Sequence, residues 1–199
     1  MHRARTLLAV SLLGLVAACG GSPAPMELTG TELDPPFEVS STPLVDTDGA
    51  AYSLTKDTDK DLTLVFFGYS HCPDICQTVM SNLASAMTRL DDRDRKRVDV
   101  VFVTTDPARD TEAALQQYLA HFDPTFVGLT GDLDTIVAVA KPLGVGITQG
   151  EKLPSGGYDI THGTTITGID ADDEGTVYWS EATSSADFAA DIHHLLNED

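Results

Sequence analysis

Two cysteines, Cys72 and Cys76, lie in the stretch FFGYSHCPDICQTVM (residues 66–80) with three residues between them. Such a dithiol can close a disulfide, exchange with another protein's disulfide, or hold a soft metal ion through its thiolates. A thioredoxin-type redox pair is spaced by two residues, and a structural zinc site needs a second cysteine pair. The one other cysteine, Cys19, lies far upstream in a different context. Residues four apart share one face of a helix, so a helix begun by Cys72 would aim both sulfurs at one external point. Its N-terminal dipole would also favour thiolate.

Two thiolates hold copper well only with a third ligand. His71, His121, His162, His193 and His194 are the candidates. His193 and His194 fall in the last helical stretch and His121 at the end of another, where exposed histidines are common. His71 adjoins Cys72, and neighbours at a strand end point apart. His162, in YDITHGTT, precedes a strand and is followed by Gly163, which leaves room for backbone or metal to approach. By itself a loop histidine is a weak signal.

The elements that must position these residues follow from hydrophobic periodicity. Residues 62–69 (LTLVFFGY) form the continuous apolar run of a buried strand, and the cysteines follow directly. Ile75, Val79, Leu83, Met87 and Leu90 predict a helix from about Pro73 to Leu90, with Asp74 as its cap. A charged turn (DDRDRKR) leads to a strand over 98–105, then to a helix through Tyr118 to Phe122 capped by Asp110. A short strand over 125–131 and a helix from Asp132 to Leu143 come next. The segment 157–180 reads as two strands turning at Glu174-Gly175, and Ser185 to Leu196 as a final helix. Upstream, residues 37–54 read as a hairpin turning at Asp48-Gly49. This order predicts an α/β, thioredoxin-like sandwich with an N-terminal β-hairpin extension, its closing hairpin forming an antiparallel edge. The cysteines then sit at the strand's C-terminal end, where open α/β sheets place reactive groups.

The first 18 residues carry Arg3, Arg5 and a 12-residue apolar run from Leu7 to Ala18, shorter than the roughly 20 residues that span a bilayer. They read as a secretory signal. LVAAC resembles a bacterial lipobox, which makes Cys19 the lipidated residue, and several acyl chains hold a membrane far better than one. Residues 19–36, rich in Pro and Gly, read as a flexible tether, and 37–199 as the folded domain. The expected location is extracytoplasmic, anchored to the outer face of the cell membrane. The formal charge of −19 argues against nucleic acid and against a peripheral grip on anionic lipid.

Taken together, GYSHCPDIC, VVFVTTDPARDT, YLAHFDPTFVGLTG and the late THG resemble the Sco (SenC) family of copper-handling proteins over residues 37–196. The resemblance implies a thioredoxin-like fold and one copper ion, Cu(I) or Cu(II), held by Cys72, Cys76 and His162. It also implies delivery of that copper to the CuA-bearing subunit of cytochrome c oxidase, with a periplasmic-type copper donor or thiol reductant as a further partner. Gln77 stands where the family often has proline, and Thr161 where it usually has aspartate; neither position is a ligand.

A second reading keeps Cys72 and Cys76 as the redox dithiol of a thiol–disulfide oxidoreductase that holds a partner's cysteines reduced. A peroxiredoxin-type peroxidase is disfavoured, since Tyr69 stands where its threonine would be. A merely structural disulfide would close too short a loop to stabilise much. Asp106 reads as a loop-capping aspartate, and Arg109 with Asp110 as braces of that loop.

Overall fold

The apolar run becomes β4 (Leu62–Gly68), buried along its whole length because side chains from both its faces enter cores. The computed structural model describes residues 27–154 and 156–197. The leader and Cys19 lie outside the described residues. β4 pairs in parallel with β5 (Val98–Thr104), and β5 with β6 (Val127–Thr130). The connections run through α1 (Ile75–Arg89), the short α2 (Asp92–Arg95) and α3 (Glu112–Leu119). On one face, Leu64, Phe66 and Phe102 pack with Cys76, Met80 and Leu83 of α1, Leu115 of α3, and Phe188 and Ile192 of α5 (Ser185–Asn197). On the other, Val65, Phe67, Val101 and Leu129 pack with Ile136 and Val139 of α4 (Leu133–Ala140). Helices on both faces of a largely parallel centre make the α/β sandwich that the element order predicts.

The closing strands depart from expectation. β9 (Ile166–Asp170) lies antiparallel to β4, and β10 (Glu174–Trp179) antiparallel to β9, so this hairpin is interior rather than an edge. Its turn is not at Glu174-Gly175, which open β10. Asp170 Oδ1 instead accepts from the amides of Asp172 and Glu174 at 3.0 Å each, and Asp173 takes φ 64°. The edge is β1 (Thr31–Glu38), antiparallel to β10. A tether reaching to residue 36 and a hairpin starting at Phe37 are therefore both corrected. β1 begins six residues earlier than Phe37. Just before it, the amides of Thr29 and Gly30 donate to the buried carboxylate of Asp191 on α5, at 3.1 and 2.8 Å. The hairpin that does form joins β2 (Leu44–Asp46) to β3 (Ala51–Tyr52) through Gly49 at φ 81°, beside β6.

A second sheet departs from the order that the sequence predicts. β7 (Ile147–Lys152) and β8 (Tyr158–His162) form a two-stranded hairpin that pairs with no other described strand. His162 is its last residue.

Candidate metal centre

The cysteine loop leaves the end of β4 and folds back before α1 starts. Cys72 precedes the helix, its amide bonded to the Tyr69 carbonyl at 3.1 Å. Its sulfur accepts from the amide of Cys76, in the first turn, at 3.5 Å. The thiol thus takes the capping role assigned to Asp74, whose side chain makes no capping bond and stands exposed. The two thiols are free, with no disulfide between them. Gly68 makes room for them: a Cβ there would meet Cys76 Sγ at 3.0 Å and the Phe102 ring at 2.9 Å.

Cys72 is 8% exposed and Cys76 is fully buried. Burial pushes the Cys76 thiol well above its ordinary range, and the Cys72 thiol beside it adds to the rise. For Cys76 the expected thiolate-favouring effect of the helix start is overridden by desolvation.

Cys72 and His162 line one open cleft of about 300 Å³, with Tyr69, Asp74, Ile160 and Thr164 among its walls. His162 is half-buried, its ring edge-on to Tyr69 at 5.8 Å between centroids. Its Nδ1 lies 2.8 Å from the carbonyl oxygen of Gly163. A carbonyl only accepts, so Nδ1 carries the proton and Nε2 keeps the lone pair a metal needs. Burial holds the ring's pKa down, against the Gly163 bond, and so keeps it neutral. Gly163 contributes an oriented acceptor. That acceptor performs the orienting task for which a carboxylate at Thr161 would otherwise be wanted. Burial, and then the two sulfurs, raise the Tyr69 hydroxyl, which stays protonated.

The segment after β5 ties these parts together. Asp110, fully buried, accepts from the Ser70 amide at 2.9 Å, from the Ser70 hydroxyl, and from the Thr104 hydroxyl at 2.7 Å. It does not cap α3; Thr111 does, accepting from the Ala114 amide at 3.3 Å. Arg109 pairs with the buried Asp106 and reaches the Tyr158 carbonyl at 3.5 Å. Both residues brace the loop as expected, and Asp106 is an ion-pair partner as well as a turn residue. Nothing in the sequence beyond the DPARD run signals which of its polar groups are buried.

The remaining histidines stand apart from this cleft. His71, exposed and 2.9 Å from Ser70 Oγ through Nδ1, lines a neighbouring cleft with His121. His193 binds the buried Asp94 of α2 and fastens α5 to it, so it is a structural residue rather than a merely exposed one. Among the described residues no three His, Cys, Asp or Glu side chains stand close enough to hold an ion as they are. Cys72 and His162 share a cleft without closing on one another.

An α/β thioredoxin-like fold with a free dithiol at the strand-to-helix turn defines the class. A SCO1/SenC family profile matches residues 28–197, and the chain belongs to that family. It is similar to the mitochondrial protein SCO2 of Saccharomyces cerevisiae, 35% identical over 124 residues, covering 57% of this chain and 41% of that protein. The chain thus spans less than half of that relative's length. The solution structure of apo Sco1 from Thermus thermophilus superposes with a TM-score of 0.76 at 30% identity, covering 86% of this chain and 99% of that one. ScoI of Bradyrhizobium japonicum with copper bound gives 0.70 at 30% identity, covering 79% and 99%.

Proposed function

We propose that the protein is an extracytoplasmic copper metallochaperone, holding one copper through Cys72, Cys76 and His162 and passing it to the CuA site of cytochrome c oxidase. In this reading residues 1–18 are a lipoprotein signal, Cys19 is the lipidated anchor at the outer face of the membrane, and the stretch up to β1 is the tether. The observation that supports it most is the shared cleft, lined by Cys72 and by a neutral His162 whose Nδ1 is engaged by Gly163, leaving the lone pair on Nε2. Thiolates suit Cu(I), and imidazole extends the set to Cu(II). Two thiolates with one imidazole leave a net charge of −1 with Cu(I) and none with Cu(II), so neither state buries much charge. Closing a Cys72–Cys76 disulfide would remove both sulfurs and release the ion, which makes binding sensitive to redox state. A family relationship to a protein with copper bound supports the choice of metal.

The two free thiols, joined through the bond from the Cys76 amide to the Cys72 sulfur, favour a second reading, a reductant for a partner's cysteines. Against it stands the burial of both sulfurs, which restricts attack on a foreign disulfide. The test mixes the Cu(I)-loaded protein with a reduced, metal-free CuA domain and follows the growth of CuA visible absorption once Cu(II) is supplied. Transfer that fails in Cys72→Ser and Cys76→Ser is the expected result. In a parallel arm with the domain's cysteines oxidised to a disulfide, reduction of that disulfide by the metal-free protein, with no metal transfer in the first arm, would assign the protein to the second reading.

A further inference from the structure

The hairpin that carries His162 has little to fix it. Two-stranded hairpins are marginal on their own, this one bonds to no other described strand, and most of β7 is exposed. Besides Ile147, which packs on the α4-side core, and the buried Ile160, its seat on the domain is the pair Asp106–Arg109. Gly157, buried at φ 68°, lies so close that a Cβ there would fall 2.2 Å from Arg109 Nε and 2.8 Å from Asp106 Oδ2. Arg109 Nη2 reaches the carbonyl of Tyr158, the first residue of β8, at 3.5 Å. The same guanidinium stands 6.0 Å from the centre of the Tyr69 ring, which in turn abuts His162. The next residue, Asp110, grips Ser70 in the cysteine loop.

We infer that Arg109 is a positioning residue that couples the dithiol to His162. It latches the β7–β8 hairpin onto the segment that also anchors the cysteine loop, so that His162 stays in the cleft that Cys72 lines. The inference rests on the three-ligand reading of the site. Arg109 touches none of the proposed ligands and acts through the hairpin. Its fork serves Asp106 and the Tyr158 carbonyl together, which a lysine's single ammonium does not do. When the latch is removed, the fraction of hairpins in the competent position falls, and apparent affinity falls by that same fraction.

The experiment uses the full chain carrying Cys19→Ser, so that Cys72 and Cys76 are its thiols. Copper affinity and the nitrogen coupling in the Cu(II) electron paramagnetic resonance spectrum are measured for wild type, Arg109→Ala, His162→Ala and the double variant. Amide hydrogen exchange is followed in the metal-free proteins. The expected result is a loss of roughly tenfold in affinity for Arg109→Ala, weakened nitrogen coupling, and no further loss on adding Arg109→Ala to His162→Ala. In the metal-free protein, exchange should quicken in residues 158–163 and stay unchanged in β4 and β5. Gly157→Ala, which pushes the hairpin off the same seat, should behave alike and serves if Arg109→Ala does not fold. Additive losses in the double variant, or unchanged exchange in the hairpin, would overturn the latch. If His162→Ala alone leaves affinity unchanged, the three-ligand reading fails instead, and hairpin exchange still decides whether Arg109 holds that hairpin.

Discussion

At the scale of single residues, burial favours the neutral form of two of the groups proposed to hold the ion, Cys76 and His162. Cys76 is buried and its thiol pushed up, Cys72 caps the helix, and His162 is held neutral with the lone pair on Nε2. A raised thiol pKa means that the metal must displace the proton. Copper affinity should therefore climb with pH through the neutral range, by up to about tenfold per unit for each proton released. Competition titrations at several pH values check this; a flat profile would mean that no thiol proton is lost on binding. Gly68 is a second residue-scale test. A methyl group there would press on Cys76 Sγ and Phe102, so Gly68→Ala should cost about 1–3 kcal/mol of stability by overpacking. Chemical denaturation measures it, and copper affinity should fall along with it as the sulfur is displaced.

At the scale of elements, two contacts made by acidic side chains carry predictions. Asp110 satisfies the Ser70 amide and the Thr104 hydroxyl in a fully buried place. Asp110→Ala leaves these donors without an acceptor and should lower stability by about 2–4 kcal/mol, read as a shift in denaturation midpoint. The acid limb belongs to Asp94. Burial alone would raise its carboxyl, but hydrogen bonds from His193 and Asn197, with the charges of His193 and Arg97, more than offset this and hold it below its ordinary value. A lowered folded pKa gives stabilisation that is present above the unfolded value, about 3.9, and lost as pH falls through the folded one. The stability difference between wild type and Asp94→Asn should accordingly shrink in acid below about pH 4; a difference that persists there would assign it to packing.

Legibility in the sequence also divides by element. β4 and α1 were readable because each buries an unbroken or 3.6-periodic apolar set, and the cysteine position followed from their junction. The β7–β8 hairpin was not, because ITQGEK is exposed almost throughout and only Ile160 of its partner strand is buried. Hydrophobic periodicity registers burial, and this hairpin offers only Ile147 and Ile160 to the core, with an arginine and a glycine at its other contact. The sequence offers Asp110 as a cap because it has the same capping chemistry as Thr111 next to it, and only burial tells them apart. β1 resembled a tether because Asp34-Pro35-Pro36 interrupts it, although both its ends pair with β10.

At the scale of the whole molecule, the site sits between a rigid centre and a lightly attached hairpin. In the proposed site the centre would supply two sulfurs from a buried strand-to-helix turn, and the hairpin the imidazole. Among the described residues no helix is long and apolar enough to cross a membrane. The measurement that tests the three-ligand site most directly is a Cu(I) titration against a competing chelator, in the reduced protein and in His162→Ala. One tight equivalent, weakened about 100-fold in the variant, is the predicted result. Equal affinity in both, or failure of either to take copper from the chelator while the thiols still reduce a test disulfide, would contradict it.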